Sequence, residues 1–338
     1  MYVDHDGVIH DPPPSAPEKA KPLDPSSLAA HGLGASGLHT IGQKVARYGT
    51  AKARNREMAD FLVLKGTDAP SITLERRFKT LAKTLYDCGS WLELRHYLRT
   101  GNNRFHGSFC NKHLLCPVCA IRRSSKLLRR YHERVLFLAD HYDFYHVVLT
   151  VKNGPNLAER YRHLKGCFKR LRERGKKGYG VWAGVSGAIW SFEFTYSEEH
   201  GWHPHAHIVV AVPKGSPPIR YGEGSQLRAD WHAVTGDSFI THASPILPTE
   251  QGTAEALCEV LKYALKFSGL PLEQNFEASV TLAGSRMLGS SGVFFGLDLP
   301  PGDDLNDEAE DGPYIRFMMR YASKGYTVTE TMYHAQAH

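Results

Sequence analysis

Two histidines stand two residues apart in the segment GWHPHAHIVVAV, which begins at Gly201 and continues as an apolar run. Residues two apart in a β-strand point to the same face of the sheet, so His205 and His207 would project together. Two imidazoles on a rigid strand can chelate a divalent metal ion. Histidines that only satisfy hydrogen bonds are the alternative. We favour the metal site because a carboxylate is expected on the partner strand.

That carboxylate is Glu193, in the segment FEFTYSEEHGWHPHAH. This segment is typical of a β-hairpin, and Glu193 faces the histidines if the turn centres near Glu199. A register slip of one residue would turn it away, and Glu198 is then the alternative ligand. Two imidazoles and one carboxylate favour Mn²⁺ or Mg²⁺ in a site for phosphoryl transfer, although the same ligands would serve non-haem iron.

A later segment, EALCEVLKYALKFSG, is predicted to be a helix that ends at Gly269. Four polar residues fall at i, i+3, i+4 and i+7 on one face of this helix: Glu259, Lys262, Tyr263 and Lys266. A phenol attacks a phosphodiester efficiently only where nearby charge favours its anion, which lysines and a metal ion can do. The alternative is a surface helix with ion pairs and a half-buried tyrosine.

Four of the six cysteines are close in the sequence: Cys88, Cys110, Cys116 and Cys119. The last two form C-P-V-C, a knuckle that suits a tetrahedral ion, and four thiolates would make a closed structural zinc site. Cys88 is the least firmly assigned of the four, with His106 and His113 as alternatives. A buried cluster of reduced cysteines is the other interpretation.

The composition, with 42% hydrophobic and 22% charged residues among 338, is typical of a globular protein. No apolar run approaches the ~20 residues that span a bilayer, and the N-terminus does not resemble a signal peptide. We therefore expect a cytoplasmic protein without a membrane partner. The net charge of +6 weakly indicates a polyanionic partner.

Positive charge is concentrated in two segments, Arg122 to Arg134 and Arg160 to Lys177. The first follows the cysteines directly and would bring a basic helix onto the phosphates of DNA. The residues predicted to contact DNA are Arg122, Arg123, Lys126, Lys169, Arg170 and Lys262. Solvated helix faces are the alternative explanation for such charge runs.

Hydrophobic periodicity predicts the elements that must position these residues. An apolar strand over Phe144–Asn153 is followed by an amphipathic helix with Leu157, Leu164 and Leu171 on its buried side. The two strands of the hairpin come next, then a helix closed by Gly236, a short strand and the helix that carries the tyrosine. The order β-α-β-β-α-β-α predicts an α+β fold with a largely antiparallel sheet.

In this order, the FYHVVLTV strand, the HPHAH strand and the EVLKY helix resemble the HUH endonucleases. With the segment FCNKHLLCPVCAIRRSSK before them, the chain more closely resembles the single-tyrosine initiators of rolling-circle plasmid replication, from about Thr84 to Gly292. The resemblance implies a central antiparallel sheet flanked by helices, preceded by a small zinc-binding subdomain. The expected regions are a disordered segment (1–40), a helical, Cys-rich zinc-binding region (41–135), the HUH catalytic domain (136–300), and an acidic loop with a C-terminal extension (301–338).

The resemblance also implies a sequence-specific single-strand endonuclease and ligase. Tyr263, assisted by Lys266, would attack the scissile phosphate of the double-strand origin and become joined to the 5′ end. A 3′-OH would be freed for the host polymerase, with the host helicase as a further partner. Glu259 would activate water for the closing cleavage. Phe267 stands where two-tyrosine enzymes carry their second tyrosine, so Tyr263 would act alone.

For the metal, the resemblance assigns His205, His207 and Glu193 as ligands of Mg²⁺ or Mn²⁺, which would polarise the phosphate, with His203 in reserve. A single-strand transposase or a conjugative relaxase would keep this chemistry. A non-catalytic, zinc-containing DNA-binding regulator would not. Whether the chain forms homo-oligomers is left open.

Overall fold

The computed structural model describes residues 2–3, 9–10, 21–22, 33, 35–261, 270–296, 307–323 and 325–335. The chain forms two compact units. The first unit comprises Met1–Arg56, Thr80–Cys110 and Leu305–His338, and the second comprises Glu57–Lys79 and Asn111–Asp304. None of the helices in the described part of the chain combines the length and the hydropathy that crossing a membrane requires.

The elements are numbered in chain order. The helices are α1 (Ala35–Thr67), α2 (Ile72–Asp87), α3 (Pro117–Leu138), α4 (Leu157–Lys176), α5 (Gln226–Thr235), α6 (Glu250–Leu261) and α7 (Leu272–Thr281). The strands are β1 (Tyr2–Val3), β2 (Ile9–His10), β3 (Lys21–Pro22), β4 (Trp91–Tyr97), β5 (Asn103–Gly107), β6 (Tyr142–Thr150), β7 (Gly187–Ser197), β8 (Gly201–Pro213), β9 (Thr241–Ile246), β10 (Leu288–Gly292), β11 (Tyr314–Ala322) and β12 (Gly325–His334).

The second unit is built on a five-stranded sheet in the order β10-β7-β8-β6-β9, in which every neighbouring pair is antiparallel. β7 and β8 form the predicted hairpin. Ser197 pairs with Gly201, so the turn centres on Glu199. Gly201 has a φ of 71°, and a Cβ there would lie 2.7 Å from the carbonyl oxygen of Gly154, so only glycine fits this turn.

Each face of this sheet is covered by helices. On one face, α4 and α5 bury Leu164, Phe168 and Trp231 in a single cluster with Phe192 and Ile208. The helix α4 begins where the side chain of its N-cap residue, Asn156, accepts a 3.0 Å hydrogen bond from the backbone N–H of Glu159. The apolar residues that recur at helical spacing in the sequence of α4 are therefore the residues that pack against the sheet.

The opposite face packs against α3 and α6. Tyr131 and Val135 of α3 and Leu257 of α6 form a cluster with Ile189 and Val209 of the sheet. Burial of each such side chain stabilises the fold by roughly 1.5–3 kcal/mol. The α+β class, with an antiparallel sheet flanked by helices, is thus confirmed.

The first unit contains another five-stranded sheet, in the order β3-β12-β11-β4-β5. β11 forms a hairpin with β12 and also pairs with β4, where Phe317 lies opposite Leu94. Ile315, Phe317 and Met319 alternate along β11 and are all buried, a period of two that is typical of a strand. This pairing joins the C-terminal residues to a strand from far earlier in the chain.

The two units differ from the regions expected from the sequence. Residues 314–322 and 325–334, expected within an acidic loop and extension, are strands of the first unit. The expected zinc-binding region 41–135 is divided, because residues 57–79 and 111–135 belong to the second unit. Most of the expected disordered segment lies outside the described residues, and α1 already begins at Ala35. Sheet pairing over long sequence distances, which local periodicity does not encode, accounts for the placement of the two C-terminal strands.

Candidate functional site

The strand register brings Glu193 and the two predicted histidines to one place on the sheet. Glu193 on β7 lies directly opposite His205 on β8, and the residue is only 1% exposed. Its Oε2 lies 3.0 Å from Nε2 of His207. The rings of His205 and His207 are 5.8 Å apart and nearly parallel, and His203 stacks on His205 at 4.5 Å. Glu198, the alternative carboxylate, is exposed in the turn.

A further histidine, His146 on β6, belongs to this cluster and was not anticipated from the sequence. Its Nε2 lies 3.3 Å from Nδ1 of His207, and the two rings stack with centroids 5.5 Å apart. His207 is therefore held between His146 and Glu193. In the sequence, His146 is a polar residue between Phe144 and Val148 on one face of the strand, which could have marked it as a candidate. Only the pairing of β6 with β8 shows that it lies beside His207.

Glu193, His205 and His207 offer a mixed set of nitrogen and oxygen donors. Two imidazoles and one carboxylate share a face on two directly paired strands, and such a mixed set suits Mn²⁺ or Mg²⁺. A carboxylate this deeply buried is costly unless a cation or a protonated partner compensates it. The 3.0 Å approach of His207 supplies one partner, and a bound ion would supply a stronger one.

The helix α6 is fastened to the sheet beside this cluster. The hydroxyl of Ser191, two residues before Glu193 on β7, donates a hydrogen bond to the backbone carbonyl of Val260. Leu257, Val260 and Leu261 are buried, whereas Glu259 is partly exposed. The predicted residues Lys262, Tyr263 and Lys266, together with Phe267, lie outside the described residues.

The four predicted cysteines form one group. The Sγ atoms of Cys88, Cys110, Cys116 and Cys119 all lie within 4.8 Å of one another. Within the part of the chain that the structure describes, these four thiols are the group of possible metal ligands that comes this close together. The fourth member is Cys88, and neither His106 nor His113 belongs to the group. The arrangement is compatible with the predicted Zn²⁺.

Local structure explains how the cysteines are positioned. Cys116 is the N-cap residue of α3 and Pro117 occupies the first helical position, so Cys119 falls in the first turn. Near Cys88, the buried ammonium of Lys52 donates hydrogen bonds to the carbonyls of Leu85 and Cys88, at 3.1 and 2.7 Å. A cation that binds the last carbonyls of a helix stabilises the helix end, here that of α2.

Replacing Cys116 with serine should release zinc and lower stability. Serine is a favourable N-cap residue, so α3 itself should not suffer. We expect bound zinc to fall from about one ion per chain to near none, with a melting temperature lower by several degrees. Elemental analysis and a thermal scan measure both. Cys258→Ser, an exposed thiol outside the cluster, is the matched control. Unchanged zinc content in Cys116→Ser would contradict the assignment.

The residues predicted to contact DNA have different surroundings. Arg122 is only 2% exposed, so its guanidinium is not presented to solvent. Arg170 donates hydrogen bonds to Cys167 Sγ and to the carbonyl oxygen of Val234, at 3.1 and 2.7 Å, which ties α4 to α5. Lys169 is exposed and lies 3.6 Å from Glu173. Lys126 is half-buried on α3, and Arg123 lines a cavity.

Comparison with known proteins adds an independent observation. The family described as "Replication protein" matches residues 102–313. A protein named "Protein rep" from Streptococcus pneumoniae serotype 2 (strain D39 / NCTC 7466) is 26% identical over 283 residues, covering 74% of this chain and 85% of that protein. A "Protein rep" from Bacillus sp is 24% identical over 272 residues, covering 70% of this chain and 84% of the relative. No solved structure matches the chain.

Proposed function

Because this chain belongs to the replication protein family, we propose that it initiates rolling-circle replication of a plasmid by nicking one strand of the origin. The observation that carries the proposal is the placement of Glu193 opposite His205 and 3.0 Å from His207, on one face of the central sheet. This donor set suits a divalent ion at a scissile phosphate, and the family match supplies the biological context.

In the proposed reaction, the phenolate oxygen of Tyr263 attacks the scissile phosphorus. The bond from phosphorus to the 3′ oxygen breaks, that oxygen takes a proton and leaves as a 3′-OH, and the 5′ phosphate becomes joined to the tyrosine. Lys262 and Lys266 favour the phenolate through their positive charge. A divalent ion held by His205, His207 and Glu193 would supply polarisation of the phosphate.

A closing step then releases the enzyme from the DNA. Glu259 takes a proton from the water or hydroxyl that attacks in the closing step. Its backbone is held near the sheet because the next residue, Val260, accepts the hydrogen bond from Ser191. This contact holds the backbone beside Glu259 close to β7, which supports the proposed role of its carboxylate.

The DNA strand would approach over basic surface of the second unit. Lys126 and Lys169 remain the best candidates for phosphate contacts, since both keep solvent access. Arg122 and Arg170 mainly stabilise the fold, because Arg122 is buried and Arg170 connects α4 to α5. Phosphate contacts of this kind position a strand without reading its sequence.

The test is to incubate the full chain with a supercoiled plasmid that carries the origin, in the presence of Mn²⁺. We expect a nicked circle and a covalent protein–DNA adduct on a denaturing gel. Cleavage at the ends of a mobile element, with the origin untouched, would identify a transposase instead. Binding to DNA without any adduct would identify a non-catalytic regulator and refute the proposal.

A further inference from the structure

A cavity of about 390 Å³ lies in the second unit, beside Leu261 of α6. Arg123 and Tyr131 of α3 line one side, and the segment 284–290 lines another. Ser191 of β7 and Leu261 of α6 also contribute to its walls. This volume falls within the roughly 300–1,000 Å³ that small-molecule sites occupy in proteins.

The described walls of the cavity carry positive charge without a carboxylate. The cations are the guanidinium groups of Arg123 and Arg286. Burial lowers the pKa of Arg123, since desolvation disfavours its charged form. An anion stabilises a partly buried guanidinium more than it stabilises an exposed guanidinium. The planar N–H donors of the group also suit phosphate oxygens.

The rest of the lining suits a planar, partly apolar group. Tyr131 is 1% exposed, and Ser290 lies beside it in the lining. Burial raises the pKa of Tyr131, so its hydroxyl stays neutral. Leu127, Leu261 and Leu288 supply apolar surface. A cavity with cations, hydroxyls and aliphatic side chains matches a nucleotide, which joins an anion to a base.

We propose that this cavity binds a single nucleotide of the DNA strand, with its phosphate at Arg123 and Arg286 and its base among the apolar residues. The proposal rests on the proposed function only for the identity of the strand. Ser191 lines the cavity, and Glu193 follows it on the same face of β7, about 7 Å farther along the strand. The nucleotide bound here is therefore a neighbour of the scissile phosphate, held while the reaction takes place beside it.

Thymidine 3′,5′-bisphosphate is the probe, because it reproduces one nucleotide of a strand with both phosphates. Calorimetry with the full chain should show saturable binding that Arg123→Met weakens roughly ten-fold. Arg130→Met, on the same helix but outside the cavity, is the matched control and should bind as the parent does. Equal affinities of the two variants would overturn the proposal.

Two further measurements complete the test. Ser285→Phe fills the cavity from the segment 284–290, keeps both arginines, and should also weaken binding at least ten-fold. Retained affinity in this variant would overturn the site even if Arg123→Met failed to fold. Inorganic phosphate should bind much more weakly than the bisphosphate, and equal binding would refute the contact with the base. None of these readouts requires nicking, so a chain that binds the bisphosphate but leaves the origin intact would refute the proposed function alone.

Discussion

Tyr263→Phe should abolish the covalent protein–DNA adduct and reduce nicking of the supercoiled origin by about a thousand-fold or more, because the substitution removes the attacking oxygen. Binding to the origin should remain, since the ring and the surrounding basic residues are kept. A denaturing gel measures the adduct, and a filter or anisotropy assay measures binding. Tyr179→Phe, an exposed tyrosine in the same unit, is the control that should nick as the parent does.

Glu259→Ala separates two chemical steps, the attack by Tyr263 and the closing cleavage that Glu259 assists. The first nick and the adduct should persist, because Tyr263 still attacks, whereas closure and release should slow by about a hundred-fold. The amount of adduct that remains after long incubation reports this difference. An equal loss of both steps would contradict the division of roles, and an adduct formed by Tyr263→Phe would refute the nucleophile itself.

Glu193→Gln should weaken the response to metal, because it removes a buried negative charge while it preserves shape. The Mn²⁺ concentration that gives half-maximal nicking should rise by roughly 10–100-fold, and the rate at low Mn²⁺ should fall accordingly. The amide occupies the same volume opposite His205, so the sheet should stay intact by circular dichroism. Nicking measured over a range of Mn²⁺ concentrations gives the result directly.

Glu198→Gln is the matched control for this experiment. Glu198 was the alternative carboxylate of the hairpin, and the structure leaves it exposed in the turn. It should therefore keep the parental dependence on Mn²⁺. If Glu198→Gln needed more Mn²⁺ for half-maximal nicking while Glu193→Gln responded as the parent does, the metal ligand would be Glu198 and not Glu193.

The agreement between sequence and structure is best where the physical signal is local. The β7–β8 hairpin has a short connection, and the alternation of its side chains allows one register to bury the apolar set. That register places Glu193 opposite His205, as expected from a turn centred near Glu199. The spacing of the cysteines likewise indicated the cysteine group, because C-P-V-C at the start of a helix suits a metal knuckle.

The differences arise where distant segments meet. His146 becomes part of the cluster only because β6 pairs with β8, and no spacing within β6 indicates its partner. β11 alternates like a strand, yet its place beside β4 depends on pairing between segments far apart in the chain. Arg122 and Arg123 are adjacent in a basic run, but the packing of α3 buries one and turns the other toward a cavity.

By itself, the sequence determined the α+β class, the hairpin that aligns a carboxylate with two histidines, and the cysteine group. Side-chain period and short turns carry this information, since they depend on neighbours a few residues away. Only the tertiary structure decided which strands lie beside that hairpin, which cations are buried, and where a cavity forms. Those features follow from the packing of surfaces that are far apart in the chain, where burial of apolar area outweighs local preference.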